Sequence, residues 1–152
     1  MDSSDWSRRQ GHRLLQLGLL LFLFALLAGL VVPRFAVPRL GLSTHLLGIM
    51  QGLFLMVLGG LWPRLRVGRV TGRIAAFITS YGCFAAWTAN LLAALWGAGH
   101  SMLPLAAGSS RGSAVQEGII SVALRSAAVS LIGAALLVLW GLRAFADEES
   151  GR

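Results

Sequence analysis

Four long apolar runs, separated by short polar or Gly- and Pro-containing stretches, dominate the pattern along the chain. They cover roughly residues 14–32, 44–62, 74–96 and 117–142. An α-helix rises about 1.5 Å per residue, so about 20 residues cross the roughly 30 Å hydrocarbon core of a bilayer. Each run is close to or above that length. The sequence therefore predicts an all-α fold, an integral membrane four-helix bundle that forms a single domain over residues 1–152.

The composition and charge agree with a protein embedded in lipid. The chain is 56% hydrophobic and 12% charged, whereas a soluble domain contains about 25% charged residues. The net charge is +7, and all 13 basic side chains counted in it are arginines, because there is no lysine. The arginines cluster next to the apolar runs, which predicts contact with lipid headgroups and no binding of nucleic acid. The single cysteine, Cys83, excludes a disulfide framework within the chain.

The distribution of arginine predicts the orientation in the membrane. Four spans place both termini on one side. That side holds nine arginines, namely Arg8, Arg9, Arg13, Arg64, Arg66, Arg69, Arg73, Arg143 and Arg152, and the opposite side holds three, Arg34, Arg39 and Arg111. Cytoplasmic loops of membrane proteins are enriched in Lys and Arg. Both termini are therefore expected in the cytoplasm, with the loop before the fourth span outside.

One imidazole stands within the second run, Leu42 to Trp62, which contains no Lys, Arg, Asp or Glu. Polar side chains at membrane depth are costly and are therefore functional candidates. His45 lies about one turn into the run, where it either forms a hydrogen bond at the headgroup level or binds a ligand. A neutral imidazole is an axial ligand of haem iron. No HExxH or CxxC spacing is present, so a zinc site within one chain is not expected.

The other polar groups and glycines of the runs have two interpretations each. Gln51 is placed about 240° from His45 by a rotation of 100° per residue, so the two do not share a helix face. Gly48 and Gly52 form a GxxxG pattern, which permits either a tight helix contact or room for a flat cofactor. Tyr81 and Asn90 of the third run satisfy a helix contact or face a polar ligand. Arg125 of the fourth run forms a salt bridge in the bundle, reaches the interface, or binds an anion such as a haem propionate.

These residues together resemble the hydroxylaminobenzene mutases. The resemblance is carried by Pro38-Arg39 before GLSTHLLGIMQGLFLMVLGGLW, by Tyr81-Gly82, by Trp87 through Ala94, by Gln116-Glu117 and by LWGLR at 139–143, and it extends from Arg13 to Arg143. It implies a small membrane isomerase that rearranges an aryl hydroxylamine to an aminophenol. The oxygen moves from nitrogen to the ring, and no redox cosubstrate is needed.

The mutases in turn resemble styrene oxide isomerases, which convert aryl epoxides to carbonyl compounds. This resemblance implies a homotrimer with ferric haem b at subunit contacts, whose iron ligand is a histidine followed six residues later by Asn-Gly. His45, Gln51 and Gly52 hold those places here, with Gln in place of Asn. His45 is thus the expected metal ligand, with Gly48, Gly52 and Arg125 as cofactor contacts.

The same resemblance implies that the substrate is a small aromatic compound. The polarity of Gln51, Tyr81 and Asn90 then makes them the expected catalytic residues, which would orient the substrate or stabilise a leaving or returning oxygen. The expected location is the bacterial inner (cytoplasmic) membrane, which the chain would cross several times. A different kind of function also fits the sequence, namely a non-enzymatic membrane protein that acts as a small-molecule carrier or an assembly subunit.

Overall fold

The computed structural model describes the backbone of residues 3–65 and 67–149 and the side chains of residues 5–65 and 67–142. The helices are α1 (Ser3–Leu30), α2 (Pro38–Leu61), α3 (Arg69–Trp96), α4 (Pro104–Ala107) and α5 (Ala114–Glu149), with 3₁₀ turns at Val32–Arg34 and Trp62–Arg64. The described part of the chain contains no strand. Four helices, α1, α2, α3 and α5, are long and apolar enough to cross a membrane. The prediction of an all-helical, multi-pass membrane protein is therefore confirmed.

The orientation of the termini and the single-domain boundary stay predictions. Three arginines used in the charge argument, Arg66, Arg143 and Arg152, have side chains outside the described residues.

The helices begin earlier than the apolar runs do. Helix α2 starts at Pro38, ahead of the predicted boundary near residue 44. Proline suits the first turn of a helix because its φ is already close to helical and its missing N–H would be unpaired there. Helix α5 starts with a capping box, in which the Ser113 amide donates to Gln116 Oε1 (2.8 Å) and the Gln116 amide donates to Ser113 Oγ (3.3 Å). Hydropathy marks the lipid-crossing part of each helix and does not mark these caps.

The long helices pack mainly as neighbours in a row. Helix α1 packs on α2, α2 also contacts α3, and α3 packs on α5. The apolar segment of α5 is only 11% buried, compared with 44% for that of α3. Helix α5 therefore presents most of its surface outward, where lipid or another copy of the chain would cover it.

Two pairs of glycines set the distance between α1 and α2, and we refer to Gly11, Gly18, Gly52 and Gly59 as the glycine seam. A Cβ on Gly59 would lie 2.7 Å from the carbonyl oxygen of Gly11, and one on Gly52 would lie 2.8 Å from that of Gly18. The glycines on each helix are seven residues apart, so the contact repeats after two turns. Small residues at such positions let two backbones approach closely, which is how helices associate in lipid.

The interior is built largely from small side chains, and many bulky ones face outward. Helix α3 buries mainly glycine, alanine, cysteine and threonine on its inner face. One buried apolar cluster contains Leu14, Leu21, Leu55, Leu58 and Trp62. A second contains Phe35, Leu40, Ala93, Ala98 and Ile120. Leu40 and Leu55 both belong to α2, so the segment between them, which carries His45 and Gln51, lies between the two clusters.

We predict that Gly59→Ala destabilises the protein and that Gly60→Ala does not. The methyl group at position 59 would collide with the backbone of α1, whereas no atom lies within 4 Å of a Cβ at position 60. Overpacking of this kind costs about 1–3 kcal/mol. Thermal unfolding of both variants in detergent, followed by circular dichroism, measures the difference. Equal stability of the two variants would contradict the close contact of α1 and α2 at the glycine seam.

Candidate functional site

His45 lies at the contact between α2 and α1, where its ring is held by a backbone group. Its Nδ1 is 2.7 Å from the carbonyl oxygen of Ala25. A carbonyl oxygen only accepts, so Nδ1 carries a proton and donates it to this bond. In the neutral imidazole Nε2 then keeps its lone pair. A histidine whose second nitrogen donates to a carbonyl is the usual arrangement of a metal ligand, because the bond fixes both the tautomer and the ring orientation.

The position of His45 follows from the glycine seam. On α2, His45 precedes Gly52 by the same seven residues that separate Gly52 from Gly59, and on α1 Ala25 follows Gly18 by seven. His45 is thus the next position of the α1–α2 contact. Gly29, one turn beyond Ala25, leaves room for the ring, since a Cβ there would lie 2.5 Å from His45 Nδ1. The absence of a side chain at Gly29 therefore permits the hydrogen bond.

Gly48 and Gly52 both contact protein atoms of this chain. A Cβ on Gly48 would lie 2.6 Å from the Cβ of Ala25 and 2.6 Å from the Trp87 indole. The flat ring beside Gly48 is thus an indole, which also stacks on Phe24 with ring centroids 5.8 Å apart. Gly52 lies against the α1 backbone in the glycine seam. The GxxxG pattern forms tight helix contacts, and a role of either glycine toward a cofactor stays a prediction.

Two buried polar atoms near this contact have no hydrogen-bond partner among the described residues. They are Oε1 of Gln51 and Nε1 of Trp87. Gln51 is only 9% exposed, so little water reaches its amide from outside the chain. Leaving a buried donor or acceptor unpaired costs about 1–3 kcal/mol. Such atoms in a native fold call for an explanation, and a bound ligand is one.

Asn90 joins α3 to the same segment of α2. Its amide nitrogen donates to the Ala86 carbonyl (3.1 Å), and Ser43 Oγ donates to its Oδ1 (3.5 Å). Asn90 is buried, and Ser43 precedes His45 by two residues. The structure thus brings Asn90 to the level of His45, although its side chain already has partners on two helices.

Tyr81 and Arg125 lie elsewhere, on the α3–α5 side of the molecule. The Tyr81 hydroxyl is 2.9 Å from Ser126 Oγ, and its ring stacks on Phe77 with centroids 6.5 Å apart. Arg125, the neighbour of Ser126 in the sequence, is exposed on α5. Because α5 packs mainly on α3, no described contact within one chain joins either residue to His45. Their predicted roles stay predictions.

An open apolar groove of about 470 Å³ runs along another face of α2. It is lined by Arg39, Leu42, Ser43, Leu46, Leu47, Met50, Leu105 and Ala106. The last two residues belong to α4. A small arene would fit this volume, but His45 does not line the groove because its ring is turned toward α1.

Glu117 holds the loop that carries α4. Its Oε1 accepts hydrogen bonds from the amides of Gly99 (2.8 Å), His100 (3.2 Å) and Gly112 (3.2 Å). Its Oε2 accepts from the Ser101 amide (3.1 Å) and from Ser101 Oγ (3.0 Å). One carboxylate therefore fastens both ends of the 99–112 segment to the first turn of α5. This arrangement accounts for Glu117 as a structural residue.

We predict that Glu117→Gln loosens this loop and leaves the α1–α2 pair unchanged. The amide cannot accept at both positions, and hydrogen bonds to a charged group contribute about 1.5–3 kcal/mol each. Hydrogen exchange at the amides of Gly99, His100, Ser101 and Gly112 should be at least about tenfold faster. Exchange along α1 serves as the internal control. Unchanged hydrogen-exchange protection of these four amides would contradict the role of Glu117 in holding the loop.

Sequence reasoning missed the residues that surround His45, the predicted iron ligand. From the sequence, Trp87 has no predicted role beyond its place in the family resemblance, yet it packs inside the bundle against Gly48. Its place in the middle of the third apolar run is the signal that distinguishes it. Gly29 and the carbonyl of Ala25 carry no sequence signal of their own, because their role depends on how α1 faces α2.

Known proteins are similar to this chain over most of its length. The sequence model of the family described as Styrene oxide isomerase matches residues 10–143. Hydroxylaminobenzene mutase HabB of Ectopseudomonas oleovorans is 49% identical over 132 residues, which cover 87% of this chain and 80% of the relative. Hydroxylaminobenzene mutase HabA of the same organism is 37% identical over 125 residues, covering 82% and 93%. No solved structure matches the chain.

Proposed function

The chain belongs to the styrene oxide isomerase family and is an isomerase, and from this premise we propose that it rearranges aryl hydroxylamines to aminophenols or aryl epoxides to carbonyl compounds. Two relatives are named hydroxylaminobenzene mutases, which favours the first reaction. Membership of an isomerase family argues against the other function that the sequence left open, a non-enzymatic carrier or assembly subunit. The proposed enzyme crosses the bacterial inner membrane several times, with both termini in the cytoplasm.

The hydrogen bond from His45 Nδ1 to the Ala25 carbonyl is the observation that carries the proposal. It prepares Nε2 as a neutral nitrogen ligand, and we infer that His45 holds ferric haem b through this atom. The residues fit the group: the imidazole is fixed in orientation, partly accessible and flanked by apolar helix surface. Bound there, ferric haem would supply a Lewis acid for the substrate oxygen.

The chain's own residues have separate parts in the proposed reaction. The Ala25 carbonyl fixes the His45 ring, and the packing of Phe24 and Trp87 keeps bulk water from the buried side of the site. Exclusion of water favours return of the oxygen to the substrate over capture by solvent. The amides of Gln51, six residues after His45 on α2, and of Asn90, which contacts Ser43 from α3, would orient the substrate.

Tyr81 and Arg125 would reach this site only from a neighbouring copy. Both lie on the α3–α5 side, away from His45 of the same chain. A charged side chain in the middle of a span costs roughly 2.5–3.5 kcal/mol on insertion scales, and a haem propionate would offset part of that cost for Arg125. We therefore propose a homotrimer, in which these side chains act across subunit contacts.

We expect detergent-purified protein to show a Soret band that His45→Ala abolishes, together with conversion of phenylhydroxylamine to aminophenol. The imidazole is the proposed iron ligand, so its removal releases the haem. His12→Ala and His100→Ala remove the other two histidines and should change neither measurement. Absorption spectra and chromatography of the product test this directly. An active wild-type protein without Soret absorption would exclude haem as the cofactor of the proposed reaction.

Gly29→Ala should weaken haem binding without removing the ligand. A methyl group at this position would lie 2.5 Å from His45 Nδ1 and displace the ring from the Ala25 carbonyl. Loss of such a supporting bond typically lowers metal affinity by about 10–100-fold. Haem titration followed at the Soret maximum measures the change. Gly133→Ala is the matched control, because only an ordinary contact at 3.7 Å faces a Cβ there; equal affinities would contradict the role of Gly29.

A further inference from the structure

We propose that Trp87 is a further substrate-binding residue. Its indole N–H, as a donor, and the amide oxygen of Gln51, as an acceptor, would together bind the N-hydroxyamino group of an aryl hydroxylamine. The same pair would disfavour an aryl epoxide. This inference rests on the proposed function and adds to it a residue and a physical basis for choosing between the two substrates.

The indole and the amide border the same part of α2 as His45. Trp87 packs on Gly48, which follows His45 by three residues, and Gln51 follows Gly48 by three more. Each step of three residues advances about 4.5 Å along the helix. The indole is held from the other side by Phe24 of α1. Its N–H is therefore fixed at the junction of α1, α2 and α3.

The two unpaired atoms are complementary in kind. An indole nitrogen only donates, and an amide oxygen only accepts. Neither Trp87 Nε1 nor Gln51 Oε1 has a partner among the described residues. A single small group satisfies both only if it offers a lone pair and an N–H or O–H together. Since each unpaired atom is costly when buried, the site favours a ligand of that kind.

The two proposed substrate classes differ in this property. An N-hydroxyamino group accepts at oxygen and donates from its N–H and O–H, so it satisfies both atoms. An epoxide oxygen only accepts, so it could pair with the indole but would leave the Gln51 oxygen unpaired. Sites built to pair with a donor discriminate strongly against analogues that lack it, because the buried partner is then left without a bond.

A third buried atom without a partner provides the matched control. Trp62 is almost fully buried, and its Nε1 also lacks a partner among the described residues. It lies in the Trp62–Arg64 turn after α2, 17 residues from His45 and so about 25 Å along the helix axis. Trp62→Phe makes the same chemical change as Trp87→Phe in a comparable environment far from the proposed site.

The experiment compares Trp87→Phe, Gln51→Leu and Trp62→Phe in the full chain loaded with haem. The kcat/KM values are measured for phenylhydroxylamine and for styrene oxide. Loss of one net hydrogen bond lowers kcat/KM by about tenfold. We expect Trp87→Phe to lower both values by about that factor and Trp62→Phe to change neither by more than about twofold. Gln51→Leu should lower the value for phenylhydroxylamine and raise the value for styrene oxide, because the variant has no acceptor for the epoxide to leave unpaired.

Binding without turnover supplies a second readout. In N-benzylhydroxylamine a methylene group separates the hydroxyamino nitrogen from the ring, so this compound cannot undergo the rearrangement. Calorimetry should give dissociation constants about tenfold weaker for Trp87→Phe and Gln51→Leu than for Trp62→Phe and the wild type. Thermal unfolding of all four proteins reports whether any change arises from stability.

The possible failures are distinguishable. A wild type that converts neither substrate overturns the proposed function and, with it, this inference. A wild type that converts phenylhydroxylamine, while Trp87→Phe and Gln51→Leu match Trp62→Phe in kcat/KM and in binding, overturns the inference alone. The same holds if both variants lower only the melting temperature, which would mean that the two side chains stabilise the fold and do not contact the substrate.

Discussion

The close approach of the α1 and α2 backbones is the contact on which the rest of the site depends. In lipid, apolar side chains gain little by leaving their surroundings, so helices associate through dispersion contacts between closely fitted surfaces. The glycine seam provides such a surface, because Gly11 and Gly59, and Gly18 and Gly52, meet with no side chain between the backbones. At the next position of the contact the His45 ring lies within hydrogen-bonding distance of a main-chain carbonyl. A wider separation of the helices would remove that bond.

The polar groups of the bundle fall into two classes. Thr44 and Thr79 donate to carbonyls four residues earlier on their own helices, and Glu117 accepts five bonds from the loop before α5. These groups are satisfied and stabilise the fold. Gln51 and Trp87 retain unpaired atoms between the two apolar clusters. Both lie within two turns of His45 along α2, Gln51 on α2 itself and Trp87 against Gly48, whereas the unpaired Trp62 Nε1 lies at the far end of α2. Unpaired polar groups in apolar surroundings are expected where a polar part of a ligand binds.

The single chain leaves its fourth long helix largely uncovered. Helix α5 packs on α3 and exposes most of its apolar segment, and that segment carries Arg125. Isolated charges inside a membrane usually face protein or water rather than lipid. An assembly of several copies would give Arg125 and Tyr81 a protein environment, and in the homotrimer proposed above they would act at the His45 site of a neighbouring copy.

The amino-acid sequence alone specifies the class of the fold and makes His45 the candidate metal ligand. Apolar runs of membrane length specify spanning helices whatever their packing, because backbone polar groups in lipid must be satisfied within the helix. The imidazole in such a run identified His45 as a candidate, and the spacing to Gln51 and Gly52 carried the family resemblance.

The tertiary structure decided which groups surround that histidine. Gly29, the Ala25 carbonyl and Trp87 act through contacts between α1, α2 and α3, and hydropathy contains no information on which helix faces meet. For the same reason Tyr81 and Arg125, which sequence reasoning joined to His45, lie on the α3–α5 side of the chain.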